Sequence, residues 1–163
     1  MVAQQSDEIN GLVEQIAARA RGRSLTVACA ESLTAGAIAN ALARGEDAAS
    51  WFAGGVVSYM SQVKFDLLGV TEGPVVTALC AEEMVLGVST LLGADAAVAV
   101  TGVGGPGEEE GHPAGTVFIA TGIDGRTRVT CYRFDGDPPT VLNRTVAAAI
   151  AQLLAHLSSP AGP

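Results

Sequence analysis

The chain has one lysine, Lys64, placed five residues after Tyr59 in the run Gly54-Gly55-Val56-Val57-Ser58-Tyr59-Met60-Ser61-Gln62-Val63-Lys64. A lysine amine becomes a general base when burial or a nearby cation lowers its pKa, and an adjacent tyrosine can relay or orient the proton. Arginine-rich usage gives a plainer account of a lone lysine, so the pair gains meaning only from its surroundings. Two other segments could complete a site. Ala30-Glu31-Ser32-Leu33-Thr34-Ala35-Gly36 sets two hydroxyls beside a helix start, where free backbone N–H groups can hold an anion. Ser32 would serve equally well as a helix cap.

The third segment, Thr101-Gly102-Val103-Gly104-Gly105-Pro106-Gly107, matches G-x-G-x-x-G but lies in mid-chain, contains Pro106 and runs into Glu108-Glu109-Glu110. A dinucleotide fingerprint needs a strand before it and a helix after it, so a glycine-rich anion loop or a flexible lid fits better. The acidic run itself reads as a solvated loop. His112 and His156 stand apart from each other and from any cysteine or carboxylate cluster, and no metal is expected. His156 falls in the last turn of a helix, as a solvated complement to its dipole. Cys29, Cys80 and Cys131 are odd in number, far apart and set in apolar segments, which predicts buried, reduced thiols.

These groups need a scaffold. Ser6 is expected to cap a first helix with the apolar stripe Ile9, Leu12, Val13, Ile16 and Ala20. Leu25 to Ala30 reads as a buried strand, followed by a helix from Ser32 to Arg44 that ends at Gly45. A strand over Gly54 to Met60 leads to a short helix over Gln62 to Leu68. Thr77 is expected to cap a helix reaching Leu92, before a buried strand from Ala96 to Thr101. Thr116 to Ile123 and Arg126 to Phe134 form a hairpin through Asp124-Gly125. Asp137 caps a last helix with Pro138 in its first turn and an apolar face of Val141, Leu142, Val146, Ile150, Leu153, Leu154 and Leu157. In open sheets of this kind, sites form outside the carboxyl ends of strands. The expected fold is three-layer α/β/α with a mixed, mostly parallel five-stranded sheet.

At 163 residues the chain fits a single domain, with its core over about 6–157 and a disordered tail over 158–163. With 17 acidic residues against 9 basic ones the net charge is -8, which opposes nucleic acid and anionic membranes as partners. No segment reads as a signal peptide or as a membrane span, so a cytoplasmic protein is expected.

Taken together, the segments resemble the CinA C-terminal domain family, which includes stand-alone nicotinamide-nucleotide amidohydrolases. The family's Ala-Glu-Ser-Cys-Thr-Gly-Gly stands here as residues 30–36, its Gly-Gly-Val-Val-Thr-Tyr-Ser-Asn-x-x-Lys as 54–64, its Val-Thr-Gly-Ile-Ala-Gly-Pro as 100–106 and its Pro-x-Gly-Thr-Val as 113–117. The resemblance runs in order over roughly residues 6–157. It implies hydrolysis of the carboxamide of nicotinamide mononucleotide to nicotinate mononucleotide and ammonia, with neither metal nor cofactor. A small-molecule pyridine nucleotide is then the partner, and a homodimer the expected assembly.

On this reading Lys64 is the base, Tyr59 its orienter, and Thr101 and Ser32 are binding or oxyanion groups. Glu31, Thr34, Gly55, Gly102 and Gly105 complete the substrate-binding set. The chain departs from the family at two places. Ala49 stands where the usual nucleophilic serine belongs, leaving Ser50 one residue late or Ser32 as nucleophile, and Pro138 replaces a phosphate-side arginine. A catalytically impaired relative that binds a nucleotide or another small molecule is the alternative.

Overall fold

A computed structural model describes residues 2–160. Helix α1 spans Val2–Gly22, strand β1 Val27–Glu31 and helix α2 Ala37–Leu42. A 3-10 turn at Ala48–Ser50 precedes β2, Phe52–Val57. Helices α3, Ser61–Leu68, and α4, Ala78–Leu92, follow in succession. Strands β3, Ala96–Gly102, β4, Thr116–Ile123, and β5, Arg126–Arg133, lead into α5, Pro138–Leu157.

The five strands form one sheet in the order β2-β1-β3-β4-β5. β1 pairs in parallel with β2 and β3, and β4 runs antiparallel to both β3 and β5, so four strands share one direction. One face carries α1, α2 and α5 over Val27, Cys29, Val98, Val100 and Ile119. The other carries α3 and α4 over Ala28, Ala30, Ala97, Ala99 and Ala120. Alternate residues of β1 and β3 thus feed opposite cores, which is why both strands are apolar throughout. Small side chains on the α4 face let that helix lie close, and each large residue such as Ile150 or Leu153 contributes about 1.5–3 kcal/mol by burial. No helix among the described residues is long and apolar enough to cross a membrane.

Local chemistry sets the boundaries. Thr77 accepts from Cys80 N at 3.0 Å and Asp137 from Thr140 N at 3.0 Å, the two expected caps. The β4–β5 turn uses positive φ at both Asp124 (53°) and Gly125 (75°), as a tight hairpin requires. Several boundaries differ from the sequence reading. α1 is already helical before Ser6, so Ser6 does not cap it. Residues 32–36 are turns, not helix, because Glu31 and positive φ at Ala35 and Gly36 delay α2 to Ala37. β2 begins at Phe52 and ends at Val57, and Met60 is extended rather than in a strand.

Ser158 and Ser159 are held by hydroxyl bonds to Leu154 O (2.7 Å) and Ala155 O (3.0 Å), so this part of the expected disordered tail extends α5 in order. Residues 161–163 lie outside the described residues. His156 is buried, not solvated, with Nδ1 2.9 Å from Thr121 Oγ1, and burial lowers its pKa. Cys131 is exposed, since β5 is an edge strand with one face to solvent, whereas Cys29 and Cys80 are buried.

Candidate active site

The carboxyl ends of β1, β2 and β3 open onto one pocket of about 320 Å³. Ser32 reaches it from the turn after β1, Tyr59 and Lys64 from the β2–α3 connection, and Thr101, Gly102 and Gly105 from the end of β3 and its loop. Three segments separated by tens of residues in sequence converge here because parallel strands deliver their carboxyl ends to one edge.

Lys64 sits in the first turn of α3 and is 1% exposed. Its Nζ donates to Ser58 O at 2.5 Å and to Tyr59 O at 3.4 Å, and lies 3.0 Å from Ser32 Oγ. Burial pushes its pKa below that of an ordinary lysine, against the opposing pull of Cys80, Glu109 and Glu110. The Cys80 thiol nearby is itself raised to about 11, chiefly by burial, so it stays a neutral thiol. The pocket therefore holds an amine disposed to lose its proton, in contact with a serine hydroxyl.

Ser58 was not singled out by residue type, yet it fixes this geometry. It is fully buried, its N and Oγ both donate to Glu31 O at 2.8 and 3.2 Å, and its own carbonyl receives Lys64. Its only sequence signal was its place inside the Gly-Gly-Val-Val-Ser-Tyr run. The orienting contact from Tyr59 comes from its carbonyl, while its side chain is 67% exposed at the pocket mouth. Thr101 Oγ1 donates to Val75 O at 2.8 Å, which leaves the hydroxyl oxygen only acceptor capacity toward a ligand.

Four expected site residues lie elsewhere. The Glu31 carboxylate is buried and accepts from Ile38 N (2.8 Å) and Ala39 N (3.0 Å), so it tethers the start of α2 rather than facing the pocket. Thr34 turns to the other side of the loop, into a separate cavity between α1, α2 and α5. Gly55 lies within β2, where an added Cβ would sit 2.6 Å from Cys29 Sγ, so its role is packing. Ser50 occupies the turn at the amino end of β2 and donates its Oγ to Asp47 O at 2.8 Å. β2 is 6 residues long and spans about 20 Å, so it separates Ser50 from Lys64 within one chain.

The acidic run is only partly a solvated loop. Glu110 accepts from Val75 N (2.9 and 3.0 Å) and Val76 N (2.7 Å), tying the glycine loop to the segment that also holds Thr101. Glu109 and His112 exchange two backbone bonds of 2.9 Å each. Glu108 and Glu109 therefore line the pocket together with Gly104 and Gly107. A run of like charges carries no sequence mark of which member is anchored.

The CinA C-terminal domain model matches residues 9–157. Nicotinamide-nucleotide amidohydrolase PncC of Pseudomonas putida is 39% identical over 154 residues, covering 91% of this chain and 96% of the relative. Protein YdeJ of Escherichia coli is 37% identical over 155 residues, covering 91% and 90%. A relative from Shouchella clausii is 38% identical, and there this chain spans only 38% of the longer protein. Among solved structures, the competence damage-inducible protein A of Klebsiella pneumoniae superposes with a TM-score of 0.88 at 35% identity, over 92% of this chain and 97% of the other. A CinA superfamily protein of Escherichia coli gives 0.87 at 37% identity, over 90% and 88%.

Proposed function

The chain belongs to the CinA C-terminal domain family, and on that premise we propose that it hydrolyses the carboxamide of nicotinamide mononucleotide to nicotinate mononucleotide and ammonia. The observation that carries this reading is the buried Lys64 amine 3.0 Å from the Ser32 hydroxyl. The P. putida relative named for the same activity, at 39% identity, supports it.

The neutral amine has two N–H groups, which the carbonyls of Ser58 and Tyr59 receive, and one lone pair, which then faces Ser32 Oγ. Ser32 loses its proton to Lys64 as Oγ bonds to the amide carbon. The protonated Lys64 passes that proton to the leaving nitrogen, the C–N bond breaks and ammonia departs. Water then attacks the Ser32 ester, Lys64 takes its proton and returns it to Ser32 Oγ as the ester bond breaks, and the acid product leaves as the carboxylate, giving its proton to solvent. Among the described residues no backbone carbonyl receives the N–H groups of Gly104, Gly105 and Gly107, which supports this loop as the source of oxyanion donors. Thr101, already donating to Val75, accepts from the substrate's amide N–H. A homodimer is the proposed assembly, supported by the β2 edge, unpaired among the described residues, and by exposed Val57 at its end with Tyr59 and Met60 in the connection that follows.

The test is ammonia release from nicotinamide mononucleotide by the purified protein. Turnover lost in both Lys64→Ala and Ser32→Ala supports the proposal. Saturable nucleotide binding without turnover replaces it with the non-hydrolytic binder.

A further inference from the structure

A second cavity, of about 660 Å³, lies among α1, α2 and α5, on the far side of the turn that carries Ser32. The proposed hydrolysis uses none of the residues that line it. Small-molecule sites occupy roughly 300–1,000 Å³ and pair apolar walls with a few placed polar groups. Here Ile9, Leu142 and Val146 supply the apolar wall. Thr34, 1% exposed, lines the cavity, and its Oγ1 has no hydrogen-bond partner. Among the described residues it is the one buried side-chain oxygen or nitrogen left unpaired. Buried hydroxyls are nearly always paired, and leaving one unpaired costs stability. A χ1 change exchanges the hydroxyl and methyl of a threonine with the backbone unmoved, so a ligand in the cavity can take up this hydroxyl.

Further donors border the same space. Among the described residues no backbone carbonyl receives the N–H of Gly36, two residues from Thr34. Asn40 Oδ1 accepts from Arg44 Nη1 at 3.0 Å, which leaves the Asn40 NH2 group to donate. Arg44, exposed at the mouth, is the one charged side chain that lines the cavity. It forms no salt bridge among the described residues, and nearby Glu14 is bonded to Glu46 N at 3.2 and 3.3 Å. A guanidinium fork matches a carboxylate, and a hydroxyl oxygen can both accept from Gly36 N–H and donate to Thr34. We propose that this cavity is a second ligand site, which takes a small organic carboxylate with an apolar body and a second polar group. The carboxylate pairs with Arg44 and Asn40, the body lies on Ile9, Leu142 and Val146, and the second group satisfies Thr34 and Gly36. One turn then serves two sites, with Ser32 on one side and Thr34 on the other.

The experiment titrates 4-hydroxybenzoate, benzoate and 4-hydroxybenzamide into the full chain and follows its backbone amide NMR shifts. The readout is binding, so it is independent of whether the protein hydrolyses nicotinamide mononucleotide. 4-Hydroxybenzoate should give saturable shifts at Gly36 and Asn40. Benzoate, without the hydroxyl, should bind several-fold more weakly, and the uncharged amide by roughly five-fold, as suits a partly exposed charge pair. Arg44→Gln should bring the acid and the amide to equal affinity. Thr34→Val should reduce 4-hydroxybenzoate to the affinity of benzoate, while its ligand-free Tm holds or rises because an unpaired hydroxyl is removed. Absence of saturable shifts at Gly36 and Asn40, shifts confined to Gly104 and Gly105, or equal affinities for the three probes overturn the proposal. So does a clear fall in the ligand-free Tm of Thr34→Val, which would mean that the hydroxyl is already bonded in the free protein.

Discussion

The two ends of the β1–β2 pair carry serines in opposite circumstances. At the carboxyl end, Ser32 meets an amine that is 1% exposed and whose pKa burial has lowered. At the amino end, Ser50 sits in an exposed 3-10 turn, its hydroxyl bonded to the carbonyl three residues back. The side-chain chemistry is the same, but only one serine has a base. A hydroxyl is a weak nucleophile without a neighbouring proton acceptor, so position in the sheet decides which serine can react.

The largest break in this contrast should come from Lys64→Ala, which removes the base and should lower kcat by roughly a hundred-fold or more in a steady-state ammonia assay. Ser32→Ala should match it, whereas Ser50→Ala should stay within about two-fold, as a surface change that touches no base. A large loss at Ser50 instead would mean that another copy of the chain brings this serine to the pocket.

A smaller effect is expected at Glu110→Gln, which weakens the tether between the glycine loop and Val75. It should raise KM several-fold with kcat nearly kept, and lower stability by about 1 kcal/mol in urea denaturation. Smaller again is the pH response. Activity should climb as pH rises through the lowered pKa of Lys64, because only the neutral amine accepts a proton. Stability should rise over the window from that pKa to the unfolded lysine value of about 10.4, since there the unfolded chain binds the extra proton. A Lys64→Met variant should lack both slopes, read by pH–rate profiles and by Tm measured against pH.

Much of the scaffold was legible along the chain. The caps at Thr77 and Asp137, the Asp124-Gly125 hairpin and the α5 apolar face are local signals, and each is found as expected. What local signals missed depended on distant partners. Ser32 to Gly36 reads as helix by composition, yet the Glu31 carboxylate takes the amides of Ile38 and Ala39 and sets the start of α2 further on. Glu31 and Thr34 carry groups that suit a ligand, but the fold directs one to a helix start and the other to the opposite side of the loop. His156 sat at a helix end, where dipole complementation was expected, and Thr121 on β4 supplied a buried partner instead.

The sequence by itself determined the alternation of strands and helices, the family, and Lys64 as the residue to examine. Periodicity, caps and ordered motifs are written in neighbouring residues, and each is a local constraint on backbone or burial. Tertiary structure alone decided which serine Lys64 touches, that Ser58 and Tyr59 hold it through their carbonyls, and that Glu110 anchors a loop while Glu108 and Glu109 face the pocket. Those contacts join the ends of three different strands. Their distances follow from sheet order and register, which residue type does not encode.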